Sequence, residues 1–519
     1  MRRTSVAMQA AMALMVLWTG QSLAQESVPP PDYSLMTEQD LARAFMESLD
    51  DNGWLNQPCT LGVPVTAELV RRSPETLLLR GQELALMHCA IEQQRFEQAG
   101  GHYRALTNLG AALPPRLGLM LAVNAEDAPF AMALMRRMLD EGGEELTQIT
   151  VMQFAQIVNM IRDGGQGDEL DIFVRDLLES PVYARLDSPY RSSVAFNVVR
   201  TLGDGSDTAL LEKALEEVNS PTALITMLGD REFAPIWPQL EEHAGDALTR
   251  VSTQNRAVVA AHLAEMPDDS ERFSALARAM HSNGDFEDAI ALAREWRTRN
   301  GTLAEIEEGD AWALNIEAYA LDSLGREEEA DAVFDQLAAL DPASHPWLVN
   351  FVINRASRLV AHGRWEAGLA AGLLARTVTE AQGTIYAHLL VAQANACALG
   401  ALGRESEAMS ELTYLRDNSE TDAAVPAQAL LCLGLADEAA AMLTGALADE
   451  ETRASVLAEL QPAGYELFYT HSVLPPLRTL MDSHPALREA FDQYARIIPE
   501  RFKPRASIRR DEISASLGR

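Results

Sequence analysis

The spacing of apolar residues constrains this chain most, because they recur at steps of three and four along almost its whole length. That period places apolar side chains on one face of a helix, whereas the alternating β-branched runs that favour strands are scarce. Alanine and leucine dominate, and aromatic residues make up only 6% of the chain. Thr37 can cap the first helix, and Asp40 can bond back to it three residues later. The sequence therefore predicts an all-α chain of helical hairpins joined by short turns.

The charge of the chain narrows the set of its partners. Its 519 residues include 76 acids and 42 bases, for a formal net charge of −34, and 47% of them are hydrophobic. This hydrophobic content can supply a large core or two, so general disorder is excluded. A strongly negative chain repels nucleic acid and anionic lipid at long range. We therefore expect neither nucleic acid nor an anionic membrane surface as a partner.

Residues 1–24 have the features of a secretory signal peptide. Arg2 and Arg3 precede a mostly apolar run of 13 residues, Val6–Trp18, and small residues lead to a cleavage site after Ala24. The run is too short for a membrane helix, which needs about 20 apolar residues, and no later run reaches that length. The sequence thus predicts a cleaved signal, no membrane span, and a periplasmic or secreted mature chain.

Four cysteines permit two disulfides in an oxidising compartment. Proximity in the sequence favours Cys59–Cys89 first and Cys397–Cys432 second, although four cysteines allow three pairings. The alternative is four buried thiols that act as small apolar residues. No C-x-x-C is present, so the sequence indicates neither a zinc ribbon nor a thioredoxin-type site.

Residues 311–342 contain, in order, the marker positions of a helix–turn–helix repeat. These positions are Leu314, Ala318, Leu321, Gly325, Ala330, Phe334 and Pro342. The small residues let the two helices approach closely, the glycine allows a tight turn, and the aromatic ring fills the groove to the next repeat. The segment closely resembles the tetratricopeptide repeat (TPR) family.

Weaker copies of the pattern surround this segment. Their turn glycines are Gly284, Gly363, Gly403 and Gly434. The resemblance covers about 270–450 in some five units, and it implies an α-solenoid wound as a right-handed superhelix.

The remaining segments are predicted from composition and period. Residues 25–35 are a proline-rich, flexible lead-in, and 36–269 is an irregular region of helical hairpins that fits no repeat template. Residues 451–500 are expected to be helices that cap the last repeat. Residues 501–519, with six bases and two acids, are interpreted as a mobile basic tail; docking onto the acidic body or contact with an acidic partner are the alternatives.

No catalytic constellation stands out. The H-E-x-x-H, G-x-S-x-G, P-loop and G-x-G-x-x-G patterns are absent from the sequence. Two acidic loops, 164–171 and 204–207, partly resemble calcium-binding turns but are better explained as helix-capping turns. We therefore predict no enzyme activity, no metal and no cofactor.

The resemblance also implies where binding would occur. In the TPR family one stripe of each first helix faces a concave groove, and the predicted groove residues here are Arg278, His281, Trp312, Asn315, Tyr319 and Asp322. Exposed Trp and Tyr are typical of binding hot spots, and Arg278 can hold a carboxylate. The alternative is that Trp312 and Tyr319 pack against a neighbouring helix.

The sequence thus predicts an exported scaffold or adaptor that binds a protein or peptide partner in the cell envelope without catalysis. The competing hypothesis is a superhelical protein that binds or processes cell-wall glycan. A glycan groove would need several spaced aromatic residues, and only Trp312, Tyr319 and Trp365 are candidates.

Overall fold

The computed structural model describes residues 32–49, 55–203, 205–300, 303, 305–462 and 472–516. The predicted signal peptide and residues 25–31 of the lead-in lie outside these ranges. Within the described residues the fold is all-α, and two isolated β-bridges are the only extended pairings. The prediction of an all-α chain is confirmed.

Twenty-seven α-helices lie in the described residues. In chain order they are α1 (Glu38–Glu47), α2 (Val63–Arg72), α3 (Thr76–Glu92), α4 (Phe96–Asn108), α5 (Pro115–Asn124), α6 (Ala128–Asp140), α7 (Val151–Asp163), α8 (Gly167–Glu179), α9 (Ser188–Thr201), α10 (Thr208–Glu217), α11 (Pro221–Gly229), α12 (Trp237–Ala244), α13 (Thr249–Glu265), α14 (Ser270–Ser282), α15 (Phe286–Asn300), α16 (Glu308–Ser323), α17 (Glu327–Ala338), α18 (Leu348–Ala361), α19 (Trp365–Gln382), α20 (Ile385–Ala401), α21 (Glu405–Asp417), α22 (Ala424–Cys432), α23 (Ala436–Ala448), α24 (Glu450–Glu459), α25 (Leu480–Ser483), α26 (Pro485–Tyr494) and α27 (Arg505–Ser516).

The chain divides into two compact units between Val198 and Val199. The predicted change from irregular hairpins to regular repeats, between residues 269 and 270, falls inside the second unit. There α13 packs directly against α14.

The second unit contains a solenoid of stacked hairpins over α14–α23. The helices α14, α18 and α20 each pack against their own second helix and against the first helix of the next hairpin. The helix α16 contacts the next first helix, α18, through side chains such as Asn315 with Asn354. Five turns join the hairpin helices, and each has a glycine with a φ between +71° and +79°. The amide after the glycine donates to the carbonyl five residues earlier, as Arg326 does to Leu321 at 2.8 Å. This Schellman turn needs a left-handed residue, which only glycine adopts at little cost.

The interior of the central hairpin follows the predicted register. Ala318 and Ala330 are completely buried, which allows α16 and α17 to pack closely, and Phe334 is 1% exposed beneath them. Leu314 and Leu321 belong to the same core cluster. Small residues and one aromatic ring therefore occupy the positions that the sequence pattern assigned to them.

The first unit uses the same turn with different residues. In the turns α3–α4 and α5–α6 the left-handed positions are Gln94 and Glu126, and in the turn α7–α8 the residue is Gly165. The amide after each one again donates five residues back, as Asp127 does to Ala122 at 2.9 Å. The hairpins of this region escaped the repeat template because two of their turns lack the marker glycine.

Both cysteine pairs are joined by disulfides. Cys59–Cys89 links the helical turn Pro58–Gly62, just before α2, to α3 in the first unit. Cys397–Cys432 links α20 to α22, the first helices of consecutive hairpins. The second bond therefore fixes the stacking of one hairpin on the next.

The C-terminal residues 472–516 pack along the second unit. The amide of Val473 donates to the carbonyl of Ala361 at 2.7 Å, and α26 packs against α23. Ala495 forms an isolated bridge with Asp230, and α27 then packs against α14. The segment thus contacts the last hairpins as well as the helices that precede the first one.

Arg505–Ser516, which the sequence analysis interpreted as part of a mobile basic tail, form α27 and dock onto the body, as its alternative stated. Phe502 and Ala506 are buried, and so is the side chain of Arg510. Arg509 pairs with an acid of the body. Apolar contact and charge pairing together hold this part of the chain, which composition alone had suggested was unattached.

Across the described helices, none has both the length and the hydrophobicity needed to cross a bilayer.

Candidate functional site

A half-buried arginine lies on an aromatic ring between α14 and α16. The guanidinium carbon of Arg278, on α14, is 4.7 Å from the centre of the Trp312 ring, on α16. A cation over the face of an indole is attracted by the quadrupole of the ring, which fixes the direction in which the guanidinium points. We name Arg278 and Trp312 together the Arg–Trp site.

The guanidinium of Arg278 makes no hydrogen bond or ion pair with any described residue. Burial lowers the pKa of its guanidinium, yet arginine remains charged at any physiological pH because its ordinary value lies above 12. A partly buried guanidinium with five donors and no acceptor has lost hydration without full compensation. Arg278 is therefore ready to accept an anionic partner.

Two glutamates form the rim of the Arg–Trp site. The indole nitrogen of Trp312 donates to the carboxylate of Glu308 at 3.3 Å. Glu271 lies at the start of α14, and partial burial of its carboxyl, together with the negative charge of Glu308, raises its pKa. Both acids lie beyond ion-pair distance of Arg278, so the rim offers acceptors while the centre offers donors.

Aromatic side chains support the site from below. The Trp312 ring is 4.9 Å from that of Phe351 on α18, which in turn packs edge-on against Trp347 at 5.5 Å. Tyr319, two turns after Trp312 on the same helix, is half-buried, and its ring meets that of Phe334 edge-on at 5.9 Å. The contact with Phe351, on the next hairpin, holds Trp312 in place beneath Arg278.

Three of the six predicted groove residues lie inside the helix packing instead of facing an open groove. His281 and Asn315 have no exposed surface. Asn315 accepts a hydrogen bond from Asn354 on the next first helix at 3.2 Å. Part of the predicted stripe lies in the interface between neighbouring helices, because α16 is buried around most of its circumference.

The third of these residues, Asp322, belongs to a buried ion cluster. Its carboxylate receives two hydrogen bonds from Arg358, at 2.5 and 2.6 Å, and the two side chains are 3% and 1% exposed. Arg358 also donates to Asp331 at 2.5 Å, as Arg364 does. The cluster joins α16, α17 and α18, so its role is to hold the hairpins together.

The pKa values of this cluster follow from burial and pairing. Burial raises the pKa of Asp322 above its ordinary value, although Arg358 opposes the shift. For Arg358, burial alone would lower the pKa, but hydrogen bonds from the guanidinium to Asp322 and Asp331 outweigh it and raise the pKa. The guanidinium of Arg358 thus has acceptors within the chain, whereas that of Arg278 has none among the described residues.

Three of the predicted residues, Arg278, Trp312 and Tyr319, thus lie on the accessible side of α14 and α16. Sequence reasoning missed Glu271 and Glu308 of the rim. Glu308 lies one turn before Trp312 and Glu271 two turns before Arg278, so helical spacing could have placed both on the same side.

Two aspartates of the acidic loops make structural contacts. Asp171 is paired with Arg162 at 2.9 Å, and Asp207 caps α10 by accepting from the amide of Leu210 at 3.0 Å. Across the described ranges, no three histidine, cysteine or acidic side chains converge in a way that could hold a metal ion.

The fold and the site together define an all-helical repeat protein with a half-buried arginine–aromatic surface. Among solved structures, this chain is similar to the crystal structure of the APC/C hetero-tetramer Cut9-Hcn1, with 12% identity, 89% of this chain and 96% of that chain covered, and a TM-score of 0.23. No family model and no curated protein matches the chain.

Proposed function

We propose that this chain is an exported, TPR-like scaffold that binds a protein or peptide partner in the cell envelope and has no catalytic activity of its own. The observation that carries the proposal is Arg278, a half-buried guanidinium on Trp312 without an acceptor. Arginine and tryptophan are the residues that most often dominate binding energy at protein interfaces.

The chemistry of the site favours a peptide over a bare anion. A carboxylate of the partner would satisfy Arg278 with charge-assisted hydrogen bonds. Glu271 and Glu308 would repel a ligand that carries negative charge alone. In a peptide segment with a base next to an acid, the acid would pair with Arg278 and the base with these glutamates. Apolar atoms of the same segment could cover the exposed part of Trp312.

Export is the second part of the proposal. It is supported by the signal-like residues 1–24 and by two disulfides, which persist in oxidising compartments and are rare in the cytosol. We expect the mature protein in the periplasmic or secreted fraction, with Gln25 as its first residue by N-terminal sequencing. An unprocessed chain that stays with cytosolic markers would contradict this part.

Photo-crosslinking in living cells tests the binding site. A photoreactive phenylalanine analogue replaces Glu271 on the rim, and in the matched control it replaces Glu405, an exposed glutamate at the start of α21. The crosslinked products are purified and identified by mass spectrometry. We expect one dominant envelope protein from position 271 and not from position 405.

The other outcomes are equally informative. The same product from both positions, or none from position 271, would remove the Arg–Trp site as the recognition surface. Crosslinks to glycan strands in place of protein would favour the competing cell-wall hypothesis.

A further inference from the structure

The C-terminal helix α27 covers the turn ends of α14 and α16. Ala506 lies against the turn glycine Gly284, and Arg510 donates to the hydroxyl of Ser323, the last residue of α16, at 3.3 Å. Ile513 packs against the core cluster of these hairpins. The helix therefore occupies a defined surface on the first two hairpins of the solenoid.

The contacts of α27 have a regular spacing. Ala506, Arg510 and Ile513 fall at positions i, i+4 and i+7, so they share one face of the helix. Arg509 lies on the flank of that face, where its guanidinium donates to the carbonyl of Gly284 and to Glu287 at 2.6 Å. The docked face is thus an arginine between two apolar residues, with a second arginine beside it.

Polar side chains make up much of the buried face of α27. Its fully buried residues are Ala506, Ser507 and Arg510, and its isoleucines are only half-buried. A helix of 12 residues is marginal by itself in water, so it depends on these contacts for its structure. The large anchor of the segment, Phe502, lies before the helix, so α27 can detach while the preceding chain stays bound.

Charge complementarity continues along the preceding chain. Arg496 and Arg501 both pair with Glu241, which belongs to α12. Segment 501–516 carries five bases and two acids on a chain whose formal net charge is −34. At the surface that receives α27, Glu287 supplies the acid that pairs with Arg509, so this surface also suits a basic segment.

We propose that the surface at the turn ends of α14 and α16 is a docking site for a basic amphipathic helix, and that α27 is its resident occupant. A partner protein that presents an arginine between two apolar residues on one helix face would displace α27 and bind in its place. This inference does not depend on the Arg–Trp site, because it concerns a different part of the same helices.

The test uses the full chain and a fluorescent peptide with the sequence of residues 503–516. Arg509→Glu breaks the pair with Glu287, and Arg505→Glu is the matched control because Arg505 is exposed and makes no ion pair with any described residue. Hydrogen exchange of residues 505–516 reports release of α27, and fluorescence anisotropy reports binding of the peptide.

We expect faster exchange at 505–516 in Arg509→Glu than in Arg505→Glu or the wild-type chain. The peptide should bind Arg509→Glu about tenfold or more tightly than the other two chains, because in those the tethered helix competes at a high effective concentration. Binding should weaken as salt rises.

Two results would overturn the proposal. Unchanged exchange in Arg509→Glu would show that charge does not hold α27, and faster exchange without peptide binding would show that the vacated surface is not a docking site. If Arg509→Glu melts well below the control, Arg509→Gln repeats both measurements without introducing a negative charge.

Discussion

Replacing Arg358 by alanine should destabilise the second unit more than any surface change of similar size. The guanidinium is 1% exposed and binds Asp322, whose side chain is 3% exposed, with two hydrogen bonds. Removing it leaves a buried carboxylate without its cation. Breaking a buried ion pair in this way typically costs about 3–5 kcal/mol, because the remaining charge stays desolvated.

The pH dependence of this loss has a defined sign. Burial already raises the pKa of Asp322 while Arg358 is present, and loss of Arg358 should raise it further. A carboxyl whose folded pKa exceeds its unfolded value favours the folded state at low pH, and this contribution disappears as pH rises through the folded pKa. The cost of Arg358→Ala should therefore be larger at pH 7.5 than at pH 5.

Urea unfolding followed by far-UV circular dichroism measures both effects. The matched control is Arg355→Ala on the same helix, because Arg355 pairs with Asp335 at the surface, where such pairs contribute about 0–1 kcal/mol. The double variant Arg358→Ala/Asp322→Ala should recover part of the stability. Equal costs for Arg358→Ala and Arg355→Ala, or no change between the two pH values, would refute this reasoning.

Three further changes test the packing of the second unit. Ala318→Leu should lower the free energy of unfolding by about 1–3 kcal/mol through overpacking. An unchanged urea curve would show that the assigned register of the repeat is wrong. Replacing Cys397 and Cys432 with serine should lower the free energy of unfolding by about 3–4 kcal/mol on chain-entropy grounds. An unchanged urea midpoint in this variant would contradict the estimate. His484 has a raised pKa because it bonds Asp437, so its contribution is present below the unfolded histidine value and fades as pH rises through the folded one. Asp437→Asn should lower that pKa in an NMR titration, and no shift would exclude the pairing.

The regular hairpins could be predicted because their marker residues act locally. Gly325 is needed at a left-handed turn, and Ala318 and Ala330 are needed where two helices touch. The hairpins of the first unit were less visible, since Gln94 and Glu126 occupy the same left-handed position at a higher conformational cost. A glycine pattern cannot detect a turn that other residues make.

The site was predictable only in part. Arg278 and Trp312 lie on the accessible side of their helices, as the resemblance implied, but their contact was not predicted. Asn315 and Asp322 instead make contacts with the next hairpin. Their partners, Asn354 and Arg358, lie nearly 40 residues away in sequence. Contacts between residues so far apart depend on how the hairpins stack. The spacing of apolar residues within one helix carries no information about that stacking.

Docking of the C-terminal segment was only an alternative in the sequence analysis, and its helix was not predicted, for a related reason. Its composition is that of a solvated tail, and the contacts that hold it, such as Arg509 with Glu287, join residues more than 200 positions apart. Net charge indicated that a basic segment could bind the acidic body, but not where.

The central claim is that Arg278 serves recognition, whereas Arg358 serves stability. The most direct test is Arg278→Gln, with partner capture in living cells and the urea midpoint measured on the same variant. The account predicts loss of the crosslinked partner with a stability change of about 1 kcal/mol or less, because only the contact with Trp312 is lost inside the chain. Undiminished capture, or a loss of stability as large as that of Arg358→Ala, would contradict it.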